Sequence, residues 1–555
     1  MLGLNTLRIA LATLLGVVVS SIPTTVIAEG EPPNVILIVL DDFGSGQFAP
    51  LALDIVLEDV DPGLVAYSQA LGDDSYDAEA ALNAAQNAMP FMDTLVSESA
   101  LFTNAYAASS LCAPSRQAIL TGTSPTRWGA YRNIDINVCG FPENRSLPAI
   151  LQHDGYSTGF VGKWHVGSKD QSIRKRILAN GGTEKDAIEA GYMGSVVERD
   201  HPLNNGFDYA FFYNLWECPY YDSTHLWENR THTGKQPEYN TDLFTDKGLA
   251  FIKDALEAGD PFFLEIAYHS VHIPLNVDAP EKYQGYITTG DRSVDQFYTH
   301  VYAIDHSIKR IVDTLKDHRA WDNTILFFTS DNGATCKVGD GDLSLVPGNL
   351  RRQGHKGQYF LGGVQVPLVV SWPARFGSGQ RIDRMVSLMD LLPTAIDAAG
   401  LELPNNIDGK SLVGLLEDDQ APHHHQLFFA GIQAPAWGYT GKGVIGNAQK
   451  RRDQFPGAWA VIQDDWILRY VGELDQGLTY SNPTGKPSSL SLHNLEDDPL
   501  EIDNRIEQFP ELTSEMQKHY DAFAETLPPP HRWSKKRWNE LVPDSNPDKA
   551  IASAN

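Results

Sequence analysis

NVILIVLDD, residues 34–42, decides the fold class. Asn34 leads into six aliphatic residues with no polar break, the pattern of a strand buried on both faces. The run then stops at two carboxylates, Asp41 and Asp42. The same construction recurs outward along the chain. PFFLEIAY (261–268) runs into His269 and, shortly after, His272, and TILFFTS (324–330) runs into Asp331, Asn332 and Gly333. VPLVVSW (366–372) runs into Pro373, and the shorter STGFVG (157–162) runs into Lys163, Trp164 and His165. Between them, stretches such as THVYAIDHSIKRIVDTLK (299–316) carry apolar residues at helical spacing. This alternation predicts an α/β fold with a large, mostly parallel sheet flanked by helices. Ligands of such sheets bind beyond the carboxyl ends of the strands. Polar residues after one strand are ordinary loop chemistry; Asp, Lys, His and Asn after several strands form a constellation.

The flanks read differently. Residues 1–28 carry Arg8, an apolar run from Ile9 to Val19 and small residues ending at Ala28, the pattern of a cleavable secretory signal. The apolar run is too short to span a bilayer, so a secreted or periplasmic protein without a membrane span is expected. The catalytic domain is expected over 29–420. HHHQLFF, AWAVIQDDWILRYV and SLHNLEDDP then suggest short antiparallel strands, with a helix near 507–526, in a smaller C-terminal α+β domain over 421–527. A Pro-rich tail fills 528–555. Residues 51–90 are acidic and Ala-rich and read as a solvated helical insertion, with a lid over the site as the lesser alternative.

The chain has 555 residues, 42% of them hydrophobic, ample for a packed core. With 43 Lys and Arg against 71 Asp and Glu, its formal charge of −28 excludes nucleic acid as a partner. An anionic ligand would need a locally positive site. Four cysteines at wide, irregular spacing (Cys112, Cys139, Cys218, Cys336) make neither a disulfide framework nor a zinc site, and buried thiols are favoured over a Cys139–Cys218 bridge.

Asp41, Asp42, Asp331 and Asn332 offer only oxygen ligands, which suit Ca²⁺ or Mg²⁺ rather than zinc. In SSLCAPSRQAILTG (109–122), Pro114 fits the first turn of a helix. Cys112 then stands where free N–H groups and the helix dipole favour negative charge, with Arg116 one turn on. Spacing alone leaves a core cysteine favoured over a reactive thiolate.

The full string SLCAPSRQAILTG resembles the signature of the type I sulfatases of the alkaline phosphatase-like superfamily, C-x-P-S-R followed by an apolar pair and T-G. GYSTGFVGKWHVG (155–167) resembles that family's second signature along its length. The DD, HSVHIP, SDNG and HKG elements fall in the family's order, and PFMDTLVSESALFTNAYA (90–107) resembles its lead-in to the nucleophile. The resemblance covers about residues 33–420, with looser matches at IDGKSL (407–412) and LHNLEDDPLE (492–501).

The resemblance implies that Cys112 is oxidised by a formylglycine-generating maturation enzyme to Cα-formylglycine. One Ca²⁺ per chain would be held by Asp41, Asp42, Asp331, Asn332 and the modified Cys112. One hydroxyl of the hydrated aldehyde attacks sulfur, and loss of the second hydroxyl's proton releases sulfate, which a thiol could not do. Arg116, Lys163 and Lys356 would bind and polarise the sulfate. His272 would be the general acid to the leaving alcohol and His165 the partner handling the diol's proton, with His269 a supporting residue.

LGGVQVP (361–367) departs from the family's E-G-G-x-R-V-P, with Leu361 and Gln365 in place of a charged pair. The aromatic and basic stretch 213–240 suggests saccharide contacts at Trp216, His225, Trp227 and Arg230, joined by Arg351 and Arg352. A sulfated saccharide, such as a carrageenan-like marine polysaccharide, is the expected substrate. The alternatives are a phosphomonoester or phosphonate monoester hydrolase of the same superfamily, a metal-free Cys–His hydrolase, and a non-catalytic sulfated-glycan-binding protein.

Overall fold

The computed structural model describes residues 31–60, 77–133, 135–136, 145–273, 275, 277–335, 349, 351–376, 379–431, 458–471 and 490–528. The signal-like segment, Cys139, Cys336 and nearly all of the Pro-rich tail lie outside them.

The strands, in chain order, are β1 (Asn34–Leu40), β2 (Ala100–Phe102), β3 (Ala105–Tyr106), β4 (Ser157–Lys163), β5 (Tyr209–Tyr213), β6 (Trp227–Glu228), β7 (Thr231–His232) and β8 (Phe262–Ala267). They continue with β9 (Thr324–Ser330), β10 (Leu368–Ser371), β11 (Gln380–Ile382), β12 (Val386–Ser387), β13 (Gln426–Gly431), β14 (Ala458–Gln463), β15 (Trp466–Val471) and β16 (Leu490–Asn494). Ten of them build one sheet in the order β11-β2-β10-β9-β1-β8-β4-β5-β6-β7. Its centre, β9-β1-β8-β4-β5, is parallel throughout. The fold is therefore the α/β class that the aliphatic runs predict.

The period of two along β1 accounts for the layering. Ile36, Ile38 and Leu40 enter one core with the helices Asn240–Ala258 and Arg292–Asp317. Val35, Leu37 and Val39 enter the opposite core with the helices Cys112–Thr121 and Leu391–Ala398. With both faces covered, no polar residue is tolerated along the strand, and the carboxylates wait at its end.

Two sequence expectations change. VPLVVSW does not join the parallel set: β10 runs antiparallel to both β9 and β2, so its carboxyl end at Ser371 points away from those of β1 and β9. Residues 77–87 are not a solvated insertion. In the helix Ala78–Asn87, Ala81, Leu82, Ala84 and Ala85 are buried, small side chains permitting close approach to the core. YAFFY of β5, for which the sequence reading made no assignment, extends the parallel sheet.

The C-terminal strands form a separate antiparallel meander, β13-β14-β15-β16, followed by the helix Pro510–Ala524. Trp459 of β14 stacks on Tyr520 of that helix, ring centroids 4.0 Å apart.

Candidate active site

The parallel strands deliver their terminal polar residues to one place. Asp41 and Asp42 follow β1, Asp331 and Asn332 follow β9, His269 and His272 follow β8, and Lys163 closes β4. Gly162, just before Lys163, has φ +108°, and a Cβ there would meet the Ala267 carbonyl oxygen at 2.0 Å. Only glycine lets β4 lie that close to β8. Asp42 and His165 adopt positive φ, 60° and 51°, without being glycine. That costs on the order of 1–3 kcal/mol each and turns the chain sharply as it leaves the strand.

Cys112 is the first residue of the helix Cys112–Thr121, every residue of which is buried. Gly122, at φ +61°, ends it in the left-handed conformation. The Cys112 Sγ lies 4.0 Å from Asp42 Oδ1, and Asp41, Asp42, Cys112 and His272 place one ligand atom each within 4.8 Å of one another.

Around this point three carboxylates face three cations. Lys163 Nζ donates to Asp41 Oδ2 at 2.6 Å and to the Trp216 carbonyl at 2.9 Å. Lys356 Nζ lies 2.7 Å from Asp42 Oδ1 and 3.1 Å from His272 Nε2. Arg116 donates from Nε to Asp331 Oδ2 at 2.9 Å and from Nη1 to the Lys163 carbonyl at 3.1 Å. Asn332 Nδ2 donates to Asp42 Oδ1 at 2.9 Å. All are buried. Burial pushes the Cys112 thiol up to about 12 against the pull of Lys163 and Lys356, and lifts Asp331 to about 6 although Arg116 opposes it. For Asp41 burial acts upward, but Lys163 leads the neighbours that hold it well below the usual carboxylate range. Burial, aided by Lys356 against the opposing pull of Asp41, holds His272 well below the usual imidazole range; burial and Lys163 do the same for His165.

The donor set fits a hard divalent cation. Its metal-facing groups are three carboxylates and an amide oxygen, and Asp41 Oδ1 and Asn332 Oδ1 are buried without a hydrogen-bond partner. Buried acceptors rarely stay unpaired. The formal charges of the cluster cancel, so an anionic ester needs the added positive charge that such an ion brings.

The structure brings Cys112, Arg116, Lys163, His272, Lys356, Asp41, Asp42, Asp331 and Asn332 together. His165 follows β4 closely, and its Nδ1 is buried without a partner. His269 Nδ1 bonds the Tyr213 hydroxyl at 3.0 Å and stands 3.8 Å from Asp41 Oδ2. Of the saccharide residues, Trp216 is 47% exposed with its ring 6.1 Å from that of His272. The others are held elsewhere. His225 is buried; Trp227 donates its indole N–H to the Gly191 carbonyl; Arg230 pairs with Glu198 and Asn204. Arg351 pairs with Asp59 and, with Arg352, lines a cleft of about 830 Å³ that also holds Arg381 and Arg384. Leu361 and Gln365 are both buried, Gln365 donating to the Thr103 carbonyl at 3.0 Å, so the contact here is a neutral one.

Two contributors escaped the sequence reading. Asn133 Oδ1 accepts from Ala113 N–H at 3.2 Å beside Cys112, and nothing local marks it. Glu501 accepts from Leu361 N–H at 2.8 Å while paired with Arg469, and only its place at the end of LHNLEDDPLE hinted at a role.

A sulfatase family model matches residues 33–401. The chain is 32% identical over 524 residues to YdeN, an uncharacterized sulfatase of Escherichia coli K12, covering 92% of this chain and 88% of that protein. It is 30% identical over 401 residues to the N-acetylgalactosamine-6-sulfatase of Sus scrofa, covering 69% and 66%. Among solved structures, Ps i-CgsB in complex with k-i-k-neocarrahexaose aligns with a TM-score of 0.68 at 22% identity, over 92% of this chain and 98% of that one.

Proposed function

The chain belongs to the sulfatase family and is a sulfuric ester hydrolase; from that premise we propose that it desulfates a sulfated saccharide, with Cys112 matured to formylglycine and Ca²⁺ as its metal. The observation that carries the proposal is Cys112 at a buried helix N-terminus, ringed by three cations and by oxygen donors with unpartnered atoms. Asp41, Asp42, Asp331 and Asn332 would hold the ion. The aldehyde hydrate and the ion together would supply a sulfur-directed hydroxyl that the unreactive thiol lacks.

The chain's own residues have distinct tasks. Lys163 and Lys356, both buried, present Nζ donors to sulfate oxygens that gain charge as the ester bond breaks. Arg116 keeps Asp331 and the end of β4 in register. His272 Nδ1 faces the Ile273 carbonyl, which only accepts, so this nitrogen carries the proton and Nε2 presents a lone pair to Lys356. Lys356 and His272 therefore share the proton destined for the leaving oxygen. The unpartnered Nδ1 of His165 suits it to take up the proton that sulfate release requires. Against a Cys–His hydrolase, Cys112 Sγ contacts a carboxylate, and both nitrogens of His272 have other partners.

A polymeric substrate is supported by a polar cleft in which Arg351, Arg352, Arg381 and Arg384 stand among Asp383, Asp464, Asp465 and Glu496, so groups of both signs face it. It is lined by Ser45 and Gly46 just after Asp42 and by Arg351 and Arg352 just before Lys356. The carrageenan hexasaccharide bound by Ps i-CgsB supports the same class. The signal-like residues 1–28 support export, and among the described residues no helix is long and apolar enough to cross a membrane.

The test is sulfate release from a panel of sulfated polysaccharides and oligosaccharides, with the protein co-expressed with a formylglycine-generating enzyme and Cys112→Ala as control. Release by the wild type alone is expected. Turnover of matched phosphate esters in place of sulfate esters would overturn the reading.

A further inference from the structure

Asp390 lies fully buried between β12 and the helix Leu391–Ala398. Two consecutive histidines converge on it: His423 Nε2 is 3.0 Å from Oδ2, and His424 Nε2 is 2.8 Å from Oδ1. Their side chains are 4% and 7% exposed. Neighbouring residues of an extended strand point to opposite sides. Here the irregular chain before β13 turns both rings onto one carboxylate, with centroids 4.7 Å apart. The remaining contacts of that carboxylate are backbone N–H groups, Ser387 at 2.8 Å and Lys410 at 2.7 Å. Among the described residues no lysine or arginine pairs with Asp390, and the Lys410 ammonium is engaged by the His423 carbonyl at 3.0 Å. One ligand atom from each of Asp390, His423 and His424 lies within 4.8 Å of the others, close enough for a single ion to take the place of the protons that now bridge them.

We infer that Asp390, His423 and His424 form a second metal centre, for a divalent transition ion of the zinc class, distinct from the oxygen-donor cluster around Cys112. Two imidazoles and one carboxylate favour such an ion over Ca²⁺ or Mg²⁺. Bonds of about 2.0–2.2 Å would set tetrahedral ligand atoms roughly 3.3 Å apart. The present nitrogen–oxygen separations need to open by only a few tenths of an ångström. The two backbone N–H groups then serve as the outer support that carboxylate ligands ordinarily have. His424 also lines the arginine-bearing cleft, which gives the ion a way in and a place for water as fourth ligand. The site's role is structural. Met389, next to Asp390, packs on Ala108 and Ala118. The ion thus ties the chain entering β13 to the support of the helix that bears Cys112.

The experiment uses the full-length protein, stripped of metal and returned to saturating Ca²⁺ so that the oxygen-donor cluster is filled. Titration with Co²⁺ is expected to raise a tetrahedral ligand-field spectrum at one equivalent, quenched by Zn²⁺ and retained in Asp331→Asn. In the double variant His423→Gln, His424→Gln, Co²⁺ affinity should fall by at least the roughly 100-fold that loss of an outer partner alone can cost. Its melting temperature in Ca²⁺ without Co²⁺, compared with that of the wild type, checks that it folds. A folded double variant that binds Co²⁺ as the wild type does, or a wild type with no tetrahedral spectrum, overturns the inference.

Discussion

Glu501→Gln tests whether the C-terminal meander holds the active site. Arg469 on β15 and Glu501 after β16 form a buried ion pair, their side chains 4% and 0% exposed. The Glu501 carboxylate also accepts from Leu361 N–H, and the Arg469 guanidinium lies 3.5 Å over the Phe360 ring. One ion pair thus grips two adjacent residues at the end of the segment that carries Lys356. That segment is otherwise held by backbone bonds: Gly362 N–H to the Gln353 carbonyl at 2.7 Å, Lys356 N–H to that of Ala334 at 2.9 Å, and Gly357 N–H to that of Ser110 at 2.7 Å. Glutamine keeps an acceptor for Leu361 but leaves Arg469 charged and buried. Breaking a buried pair costs about 3–5 kcal/mol, of which the Phe360 face returns on the order of 1–2 kcal/mol. A loss of roughly 1–4 kcal/mol is expected, with a similar loss for Arg469→Met, which strands the carboxylate. The double variant removes both charges and should cost less than the sum of the singles by about 2 kcal/mol or more. The assay is a double-mutant cycle on urea unfolding, followed by the fluorescence of Trp459 and Trp466, with kcat measured on each folded variant. Additive losses together with an unchanged kcat in Glu501→Gln would refute the reasoning.

Three further outcomes are expected. Lys163→Met removes the donor between Asp41 and the Trp216 carbonyl, and kcat should fall about 100-fold or more; a loss under tenfold would deny Lys163 a role in transition-state charge. Chelation of Ca²⁺ from the matured enzyme should abolish sulfate release and its readdition restore it, while activity that survives exhaustive chelation would count against the oxygen-donor cluster as a metal site. Glu265 on β8 is raised to about 8, burial outweighing Arg116, so it folds as the neutral acid. A raised acid favours the native state at low pH. Its contribution is complete below the unfolded value near 4.3 and drains away as pH rises through about 8, at ~1.4 kcal/mol per pH unit. Glu265→Gln should flatten that decline in urea midpoints between pH 5 and 8, taken as about the span of the window, and an identical slope in both proteins would exclude the assignment.

The central sheet was legible because short aliphatic runs that stop at polar residues recur along the chain, as strands buried on both faces do. Val35 to Leu40 alternate between two cores, so every position is aliphatic and the end of the strand is marked by Asp41. Asp41, Asp42, Lys163, Asp331 and Asn332 were legible for the same reason, since each ends or closely follows such a strand, whereas Arg116 and Lys356 do not and were reached only through the motifs around them. β10 was misjudged in direction because an aliphatic run reports burial and says nothing of polarity. Its antiparallel placement is decided by the return from β9 to a neighbouring position. The helix Ala78–Asn87 was misjudged because alanine is compatible with solvent and with close packing alike.

What stayed hidden shares one physical feature: contacts between charges far apart in sequence whose local surroundings look like solvated surface. Arg469 lies in a strand of otherwise apolar residues and Glu501 in an acidic turn, and each alone reads as exposed. Their meaning appears only when β15 and β16 close and both charges are taken out of water beside Phe360 and Leu361. Asp390 and His423, 33 residues apart, likewise meet only in the folded chain. A charge buried that way must find a counter-charge or lose its own, so each such pair commits the C-terminal meander to one position against the elements that carry Cys112 and Lys356. Strand-end residues supply the chemistry, and these distant pairs decide whether the chemistry is held in place.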